Sequence, residues 1–145
     1  GLIFATPGAV LRPSEILYDR AGSAFALADP GRIDWERALE GAGWLHVSGI
    51  TPALGPAPEA AALRAVREAR ARGVRVSFDG NFRPSLWAAR GVDPGPIERA
   101  LIEHASVAFV EERDIGRVLG RTFEGADPET RRDAAAAAAF DAFPE

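Results

Sequence analysis

Residues 77–87 read Ser77-Phe78-Asp79-Gly80-Asn81-Phe82-Arg83-Pro84-Ser85-Leu86-Trp87. The apolar run that ends at Phe78 is typical of a buried strand, and a carboxylate, an amide and a guanidinium follow it at two-residue intervals. Pro84 then restricts the backbone, and a helix-like pair comes after it. An open α/β sheet binds its ligand just beyond the carboxyl ends of its strands. The stretch therefore predicts an anion-binding corner at the end of a strand.

The composition is that of one globular domain. The chain has 145 residues, of which 47% are hydrophobic and 26% charged, as in ordinary folded proteins. A net charge of −4 argues against a nucleic-acid partner. The absence of cysteine and lysine excludes thiolate, disulfide and Schiff-base chemistry. Because there is no secretory signal and no apolar run of about 18 residues, we expect a cytoplasmic protein with no membrane partner.

The chain divides into two predicted parts. Strand-like runs at 2–6 and 15–20, joined by a Pro/Gly loop, predict a β-lid segment over residues 1–30. Residues 31–145 alternate between strand and helix patterns about every 30 residues, which is typical of right-handed βαβ units and a parallel sheet. We therefore expect a partial α/β core of order βαβαβα. The predicted core strands are 44–47, 74–78 and 107–110, and the predicted helices are 35–40, 58–72, 94–104, 111–119 and one that starts after Asp127.

Each predicted core strand is followed by polar residues. The three clusters are Ser48-Gly49-Ile50-Thr51, then Asp79, Asn81 and Arg83, then Glu111, Glu112 and Asp114. Since all strands of a parallel sheet end at the same edge, topology alone predicts that these clusters meet at one crevice.

Other interpretations of the single residues remain open at this level. Asp79 could cap a turn, and Arg83 could be a solvated surface arginine. Glu111 would be favourable at a helix N-terminus without any further role. His46 alternates with apolar neighbours, which predicts a hydrogen-bonded histidine in the core.

The residue types at the predicted crevice limit the class of ligand that it could bind. A guanidinium grips a carboxylate or phosphate with two parallel hydrogen bonds, and Arg83 lies at the predicted crevice. Arg20, two residues after Tyr18, lies on the lid, which could fold over it. This set suits a small, hydroxylated, acidic ligand. Glu111 and Asp114 suit a hydrated divalent cation and hence a phosphoryl donor. No phosphate loop, dinucleotide fingerprint, nucleophile elbow or His/Cys metal spacing is present.

Three motifs carry a resemblance to a known family. They are Tyr18-Asp19-Arg20-Ala21-Gly22-Ser23-Ala24, Leu45-His46-Val47-Ser48-Gly49-Ile50-Thr51 and Asp79-Gly80-Asn81-Phe82-Arg83-Pro84-Ser85-Leu86-Trp87. In this order and spacing the chain resembles 2-keto-3-deoxygluconate kinases of the ribokinase-like carbohydrate kinases, from about Gly1 to Gly120. The resemblance implies a three-layer α/β/α fold with a parallel sheet, incomplete in this chain, and a small β lid.

The resemblance also implies roles for individual residues. Those that would hold the sugar acid are Tyr18, Arg20, Gly49, Ile50 and Arg83. Those that would belong to the phosphate and metal network are Asp79, Asn81, Glu111 and Asp114, with no direct metal ligand among them. In the family's N-x-x-E motif, glutamate here replaces asparagine and aspartate replaces glutamate. Ile3 stands where the family usually has a tyrosine that touches substrate.

The implied reaction is transfer of the γ-phosphoryl group of ATP, with Mg²⁺, to 2-keto-3-deoxygluconate. The family's catalytic aspartate lies in a Gly-Ala-Gly-Asp motif that these residues lack. We therefore expect a central part of a longer kinase, without a catalytic residue of its own and inactive alone. Alternatives are a non-catalytic sugar-acid binding module, a degenerate remnant, or a related fructose- or ribose-type kinase. Unpaired sheet edges and the lid predict self-association as a homo-oligomer.

Overall fold

The computed structural model describes residues 1–20 and 22–144. Its first part is an antiparallel hairpin of β1 (Leu2–Thr6) and β2 (Glu15–Asp19), in which Ile3 lies opposite Tyr18. The two strands confirm the runs expected from the sequence. Every residue of both strands is exposed. The division of the chain after residue 30 remains a prediction.

The second part alternates strands with helices. A short 3₁₀ helix (Pro30–Arg32) leads into it. Its further elements, in the described part of the chain, are α1 (Trp35–Leu39), β3 (Trp44–Ser48), α2 (Ile50–Ala53), α3 (Pro56–Ala71), β4 (Arg75–Asp79), α4 (Pro84–Arg90), α5 (Gly95–Ile102), β5 (Val107–Phe109), α6 (Glu112–Leu119) and α7 (Pro128–Ala142). No helix among the described residues is both long and apolar enough to cross a membrane.

Helix boundaries follow local signals that the sequence carries. The side chain of Asp34 accepts a hydrogen bond from the amide of Arg37, and Asp127 accepts one from Thr130, so both aspartates cap their helices as predicted. Gly120 ends α6 in the left-handed conformation, at a φ of 64°. The short α2 was not expected, because residues 50–53 contain too few positions to show a helical period.

The core strands form a parallel sheet in the order β3-β4-β5, with β4 in the centre. Val47 pairs with Phe78, and Phe78 pairs in turn with Ala108. This arrangement confirms the parallel βαβαβ topology predicted from the spacing of the patterns. Because β4 has a neighbour on each side, the residues after it lie between the ends of β3 and β5.

The hydrophobic core lies on one face of this sheet. Its centre is formed by Phe78 and Val76 of β4 with Val66 of α3 and Leu101 of α5, all at most 1% exposed. Further members are Leu39, Val47, Ala62, Ala69, Val74, Ile102 and Val118. The core therefore fixes β4, and with it the start of the predicted corner, against α3 and α5.

The other face of the sheet is open, which corrects one expectation. Residues 44–47 were predicted to form a buried strand with His46 in the core, but Trp44 is 45% exposed and His46 is also exposed. Alternate residues of a strand point to opposite faces, and these two lie on the face opposite Val47. His46 is nevertheless hydrogen-bonded, with its Nδ1 2.9 Å from Oγ of Ser77.

Candidate functional site

The carboxyl ends of all three core strands meet, as their order along the chain predicted. The amide of Gly49, just after β3, donates to the carbonyl of Asp79 at 2.7 Å. The amide of Gly80, just after β4, donates to the carbonyl of Phe109 at 2.9 Å. These two hydrogen bonds join the strand exits into one corner, which we call the strand-exit corner (residues 48–50, 79–83 and 110–114).

Asn81 ties the first two exits together through its side chain. Its backbone has a φ of 38°, a left-handed conformation that asparagine tolerates better than most residues. Its Nδ2 donates to Oγ of Ser48 at 3.0 Å. Ile50, the first residue of α2, is half-buried beside them. The structure therefore brings together Asp79, Asn81, Gly49 and Ile50, which the sequence placed in two separate motifs.

Arg83 lies at the outer side of the corner, immediately before α4. It is exposed, and one guanidinium nitrogen donates to the carbonyl of its neighbour Phe82 at 3.0 Å. Within residues 1–20 and 22–144 its guanidinium takes part in no ion pair. An exposed arginine in this position is able to receive an acidic ligand.

Tyr18 and Arg20 contact each other on the lid. The Arg20 guanidinium carbon lies 4.0 Å from the centroid of the Tyr18 ring, a distance typical of a cation–π contact. No hydrogen bond or ion pair of the described residues joins the hairpin to residues 77–87. That the lid brings these two side chains over Arg83 therefore stays a prediction.

Asp114 reaches the corner from α6, but both of its oxygens are already engaged. Oδ2 accepts the amide of Glu111 at 2.9 Å, and Oδ1 accepts from Arg117 at 3.2 Å. A Cβ atom placed on Gly80 would lie 2.8 Å from Oδ2, so Asp114 approaches the corner closely only because residue 80 is glycine.

These contacts bear on the expected divalent cation. Both carboxylate oxygens of Asp114 are engaged in the helix cap and in the ion pair, so a cation bound there would compete with Arg117. No group of three acidic or histidine side chains suited to a metal occurs in the described ranges. We therefore assign no step of the chemistry through a metal held by these residues.

Two charged residues of this region were missed by sequence reasoning. Arg117 donates to Oε2 of Glu98 at 2.6 Å, and its guanidinium carbon lies 3.4 Å from the centroid of the Phe82 ring. Glu98 is only 2% exposed. The three-residue spacing of Asp114 and Arg117 on a helix was a usable signal for their ion pair. Nothing in the sequence marked Glu98, since a lone glutamate in a helix is normally on the surface.

The buried carboxyl group of Glu98 is expected to make the free energy of unfolding depend on pH. Burial raises its pKa above the ordinary value of 4.5, and the Arg117 guanidinium only partly opposes this. The folded state therefore binds this proton more tightly than the unfolded chain, so the contribution is complete below pH 4.5 and is lost as the pH rises through the folded pKa. We expect the unfolding free energy of wild type, relative to Glu98→Gln, to fall over that interval.

Urea unfolding of both proteins from about pH 4 to about pH 8 measures this difference. Glu103→Gln, which removes an exposed carboxylate that pairs with Arg99 at the surface, is the control and should change the unfolding free energy little, because exposed ion pairs contribute little to stability. A difference between wild type and Glu98→Gln that stays constant or grows with pH would contradict the assignment.

A groove of about 1,100 Å³ lies between β5 and α7 and adjoins the strand-exit corner, since residues 110–113 line part of it. Its lining includes Ile102, Val107, Phe140 and Phe143, and of the predicted site residues only Glu111 borders it. The charged residues in its lining include Glu112 and Arg131, which pair with each other at 3.2 Å. None of the residues that the resemblance assigns to the sugar acid lines the groove, so the strand-exit corner remains the candidate site.

The chain has the fold of the PfkB family carbohydrate kinases. A structure of that description from Listeria grayi superposes with a TM-score of 0.78 at 27% identity, covering 98% of this chain and 42% of that one. No family model matches the sequence.

Particular members of that class are more similar in sequence. A 2-dehydro-3-deoxygluconokinase structure from Thermotoga maritima has a TM-score of 0.79 and 36% identity, over 97% of this chain and 42% of that chain. A 2-dehydro-3-deoxygalactonokinase of Haloferax volcanii is 31% identical over 119 residues, which are 82% of this chain and 36% of that protein. The match to part of a 2-keto-3-deoxygluconate (2-dehydro-3-deoxygluconate) kinase is therefore confirmed. The chain spans about a third of the length of this curated relative.

Proposed function

We propose that this chain is the sugar-acid binding part of a kinase that transfers the γ-phosphoryl group of ATP to 2-keto-3-deoxygluconate. The observation that carries the proposal is the strand-exit corner, where hydrogen bonds join Gly49 to Asp79 and Asn81 to Ser48 beside an arginine with no ion pair in the described chain. A sheet edge of this type is where α/β proteins bind small ligands. The sugar-kinase relatives support the same ligand class.

In the proposed clamp, the strand-exit corner and the lid contact different parts of the ligand. Arg83 would receive the carboxylate with two parallel hydrogen bonds, and the Gly49-Ile50 turn would contact the sugar. Tyr18 and Arg20, already stacked on each other, would cover the ligand when the lid closes. The lid also exposes the apolar side chains of both of its strands, and through it we propose that two copies of the chain associate.

The remaining parts of the proposal concern the phosphoryl donor. Asp79, Asn81, Glu111 and Asp114 would lie near the transferred phosphate, with ATP and Mg²⁺ as cofactors and the cytoplasm as the location. Since these residues include no Gly-Ala-Gly-Asp motif, we assign the catalytic base to none of them and expect no turnover from the 145 residues alone.

Arg83→Ala is expected to weaken binding of 2-keto-3-deoxygluconate at least about tenfold, because a charged hydrogen-bonding group is lost. Isothermal titration calorimetry of the chain with this sugar acid, and with 2-keto-3-deoxygalactonate, measures the effect. Arg70→Ala removes an exposed arginine of α3 and should leave the affinity unchanged.

The outcomes separate the alternatives. Binding that depends on Arg83 supports the clamp in either a kinase or a binding module. No heat with either sugar acid would favour a degenerate remnant. A preference for neutral fructose or ribose would favour the related kinases, which have less need of an arginine that receives a carboxylate.

A further inference from the structure

Phe82 lies between two residues of the proposed site, yet it does not belong to the clamp. It separates Asn81, which bonds to Ser48, from Arg83, the proposed carboxylate ligand. The guanidinium carbon of Arg117 lies 3.4 Å from the centroid of its ring, the shortest cation–π distance among the described residues. A side chain of α6 thus holds the middle residue of the ligand loop (residues 81–83).

Arg117 is itself held on two sides. It donates to Oε2 of Glu98 on α5 at 2.6 Å and to Oδ1 of Asp114 on α6 at 3.2 Å. Both carboxylate residues are buried. Because ion pairs and a planar stack fix the same guanidinium, its position is defined more closely than that of a surface arginine.

The three contacts connect separate parts of the candidate site. Asp114 also accepts a hydrogen bond from the amide of Glu111. The same set of contacts therefore includes the start of α6. Arg117 therefore lies where the ligand loop, the start of α6 and the buried side of α5 meet. Of its three contacts, only the one with Phe82 reaches the ligand loop.

We propose that Arg117 is a positioning residue for substrate binding: its stack on Phe82 holds the loop so that Asn81 and Arg83 face the ligand. The inference rests on the proposed function for the identity of the ligand. It does not depend on that function for the order of the loop, which is measurable without ligand. In this proposal Arg117 acts through Phe82 and not by contact with the ligand.

Three variants separate positioning from stability. Arg117→Lys keeps a positive charge beside Glu98 and Asp114 but lacks the planar face that stacks on the ring. Phe82→Leu removes the ring and leaves both ion pairs. Arg121→Ala is the control, because Arg121 also stacks on a phenylalanine, Phe123 at 4.8 Å, outside the ligand loop.

The first readout is hydrogen exchange at the amides of Gly80, Leu86 and Trp87. These donate to the carbonyls of Phe109 and Arg83 and therefore report on both ends of the loop. We expect Arg117→Lys and Phe82→Leu to raise their exchange rates about tenfold, with core amides of β4 and the unfolding midpoint nearly unchanged. Arg121→Ala should match wild type.

The second readout is the affinity for 2-keto-3-deoxygluconate by calorimetry. We expect both variants to weaken binding about tenfold and the double variant to be no weaker than either single one, because both remove the same contact. Wild-type exchange in Arg117→Lys and Phe82→Leu would overturn the inference, as would faster exchange with unchanged affinity. If wild type binds no sugar acid, the proposed function fails, and the exchange rates alone decide whether Arg117 orders the loop.

Discussion

Gly49→Ala is expected to destabilise the fold by about 3 kcal/mol, the upper end of the usual cost of overpacking, and to disrupt the strand-exit corner. A Cβ atom on residue 49 would lie 2.1 Å from the carbonyl oxygen of Gly80 and 3.0 Å from its carbon. Both are backbone atoms, and the amide of Gly80 is held by Phe109 while that of Gly49 is held by Asp79. Relief of the clash requires a shift of backbone atoms, which these two hydrogen bonds oppose. Since φ of Gly49 is −61°, the requirement is one of space and not of backbone conformation.

Urea unfolding followed by circular dichroism measures the loss. The matched control is Gly43→Ala, directly before β3, where an added Cβ meets no atom within 4 Å. Gly43→Ala should change the unfolding free energy by less than about 1 kcal/mol. Equal losses in the two variants would show that the close approach of Gly49 and Gly80 does not matter for stability.

Phe78→Ala is expected to cost about 3–5 kcal/mol, because it leaves a cavity in the centre of the core. Phe78 is 1% exposed and lies on the central strand β4, between Val47 and Ala108 of the neighbouring strands. It directly precedes Asp79, so the same ring that fills the core also fixes the start of the strand-exit corner. We therefore expect weaker ligand binding together with the loss of stability.

The control for this variant is Phe140→Ala on α7, where the side chain is 80% exposed. It removes the same number of atoms and should change the unfolding free energy by less than about 0.5 kcal/mol. Thermal and urea unfolding of both variants measure the contrast. A small cost for Phe78→Ala would mean that the sheet is not packed against α3 and α5 as described.

The order of the elements could be predicted from the sequence because the signals are local. Asp34 and Asp127 cap helices through their own side chains, and Gly120 ends one through a left-handed backbone. The interval between strand patterns predicted a parallel sheet, and that topology placed the residues after β3 and β4 at one edge. The exposure of Trp44 and His46 could not be predicted in this way, because it depends on which face of the sheet the helices cover.

The candidate site, like the fold, could be predicted from the sequence only in part. The motif around Asn81 and Arg83 was visible in the sequence, and the resemblance to sugar kinases supplied a ligand class. The contact of Arg117 with Phe82 was not visible, since the two residues lie far apart along the chain and neither stands out by type. Whether Arg20 meets Arg83 over a ligand remains a prediction.

The amino-acid sequence was enough to place the end of each core strand to within one residue, and so to predict which polar groups share an edge of the sheet. The physical reason is that strand and helix periods, and the caps that bound them, act within a few residues. The close approach of Gly49 and Gly80, the burial of Glu98 and the contact of Arg117 with Phe82 became known only from the folded arrangement. These features depend on how distant segments pack against one another, and close packing is not encoded in the spacing of residues along the chain.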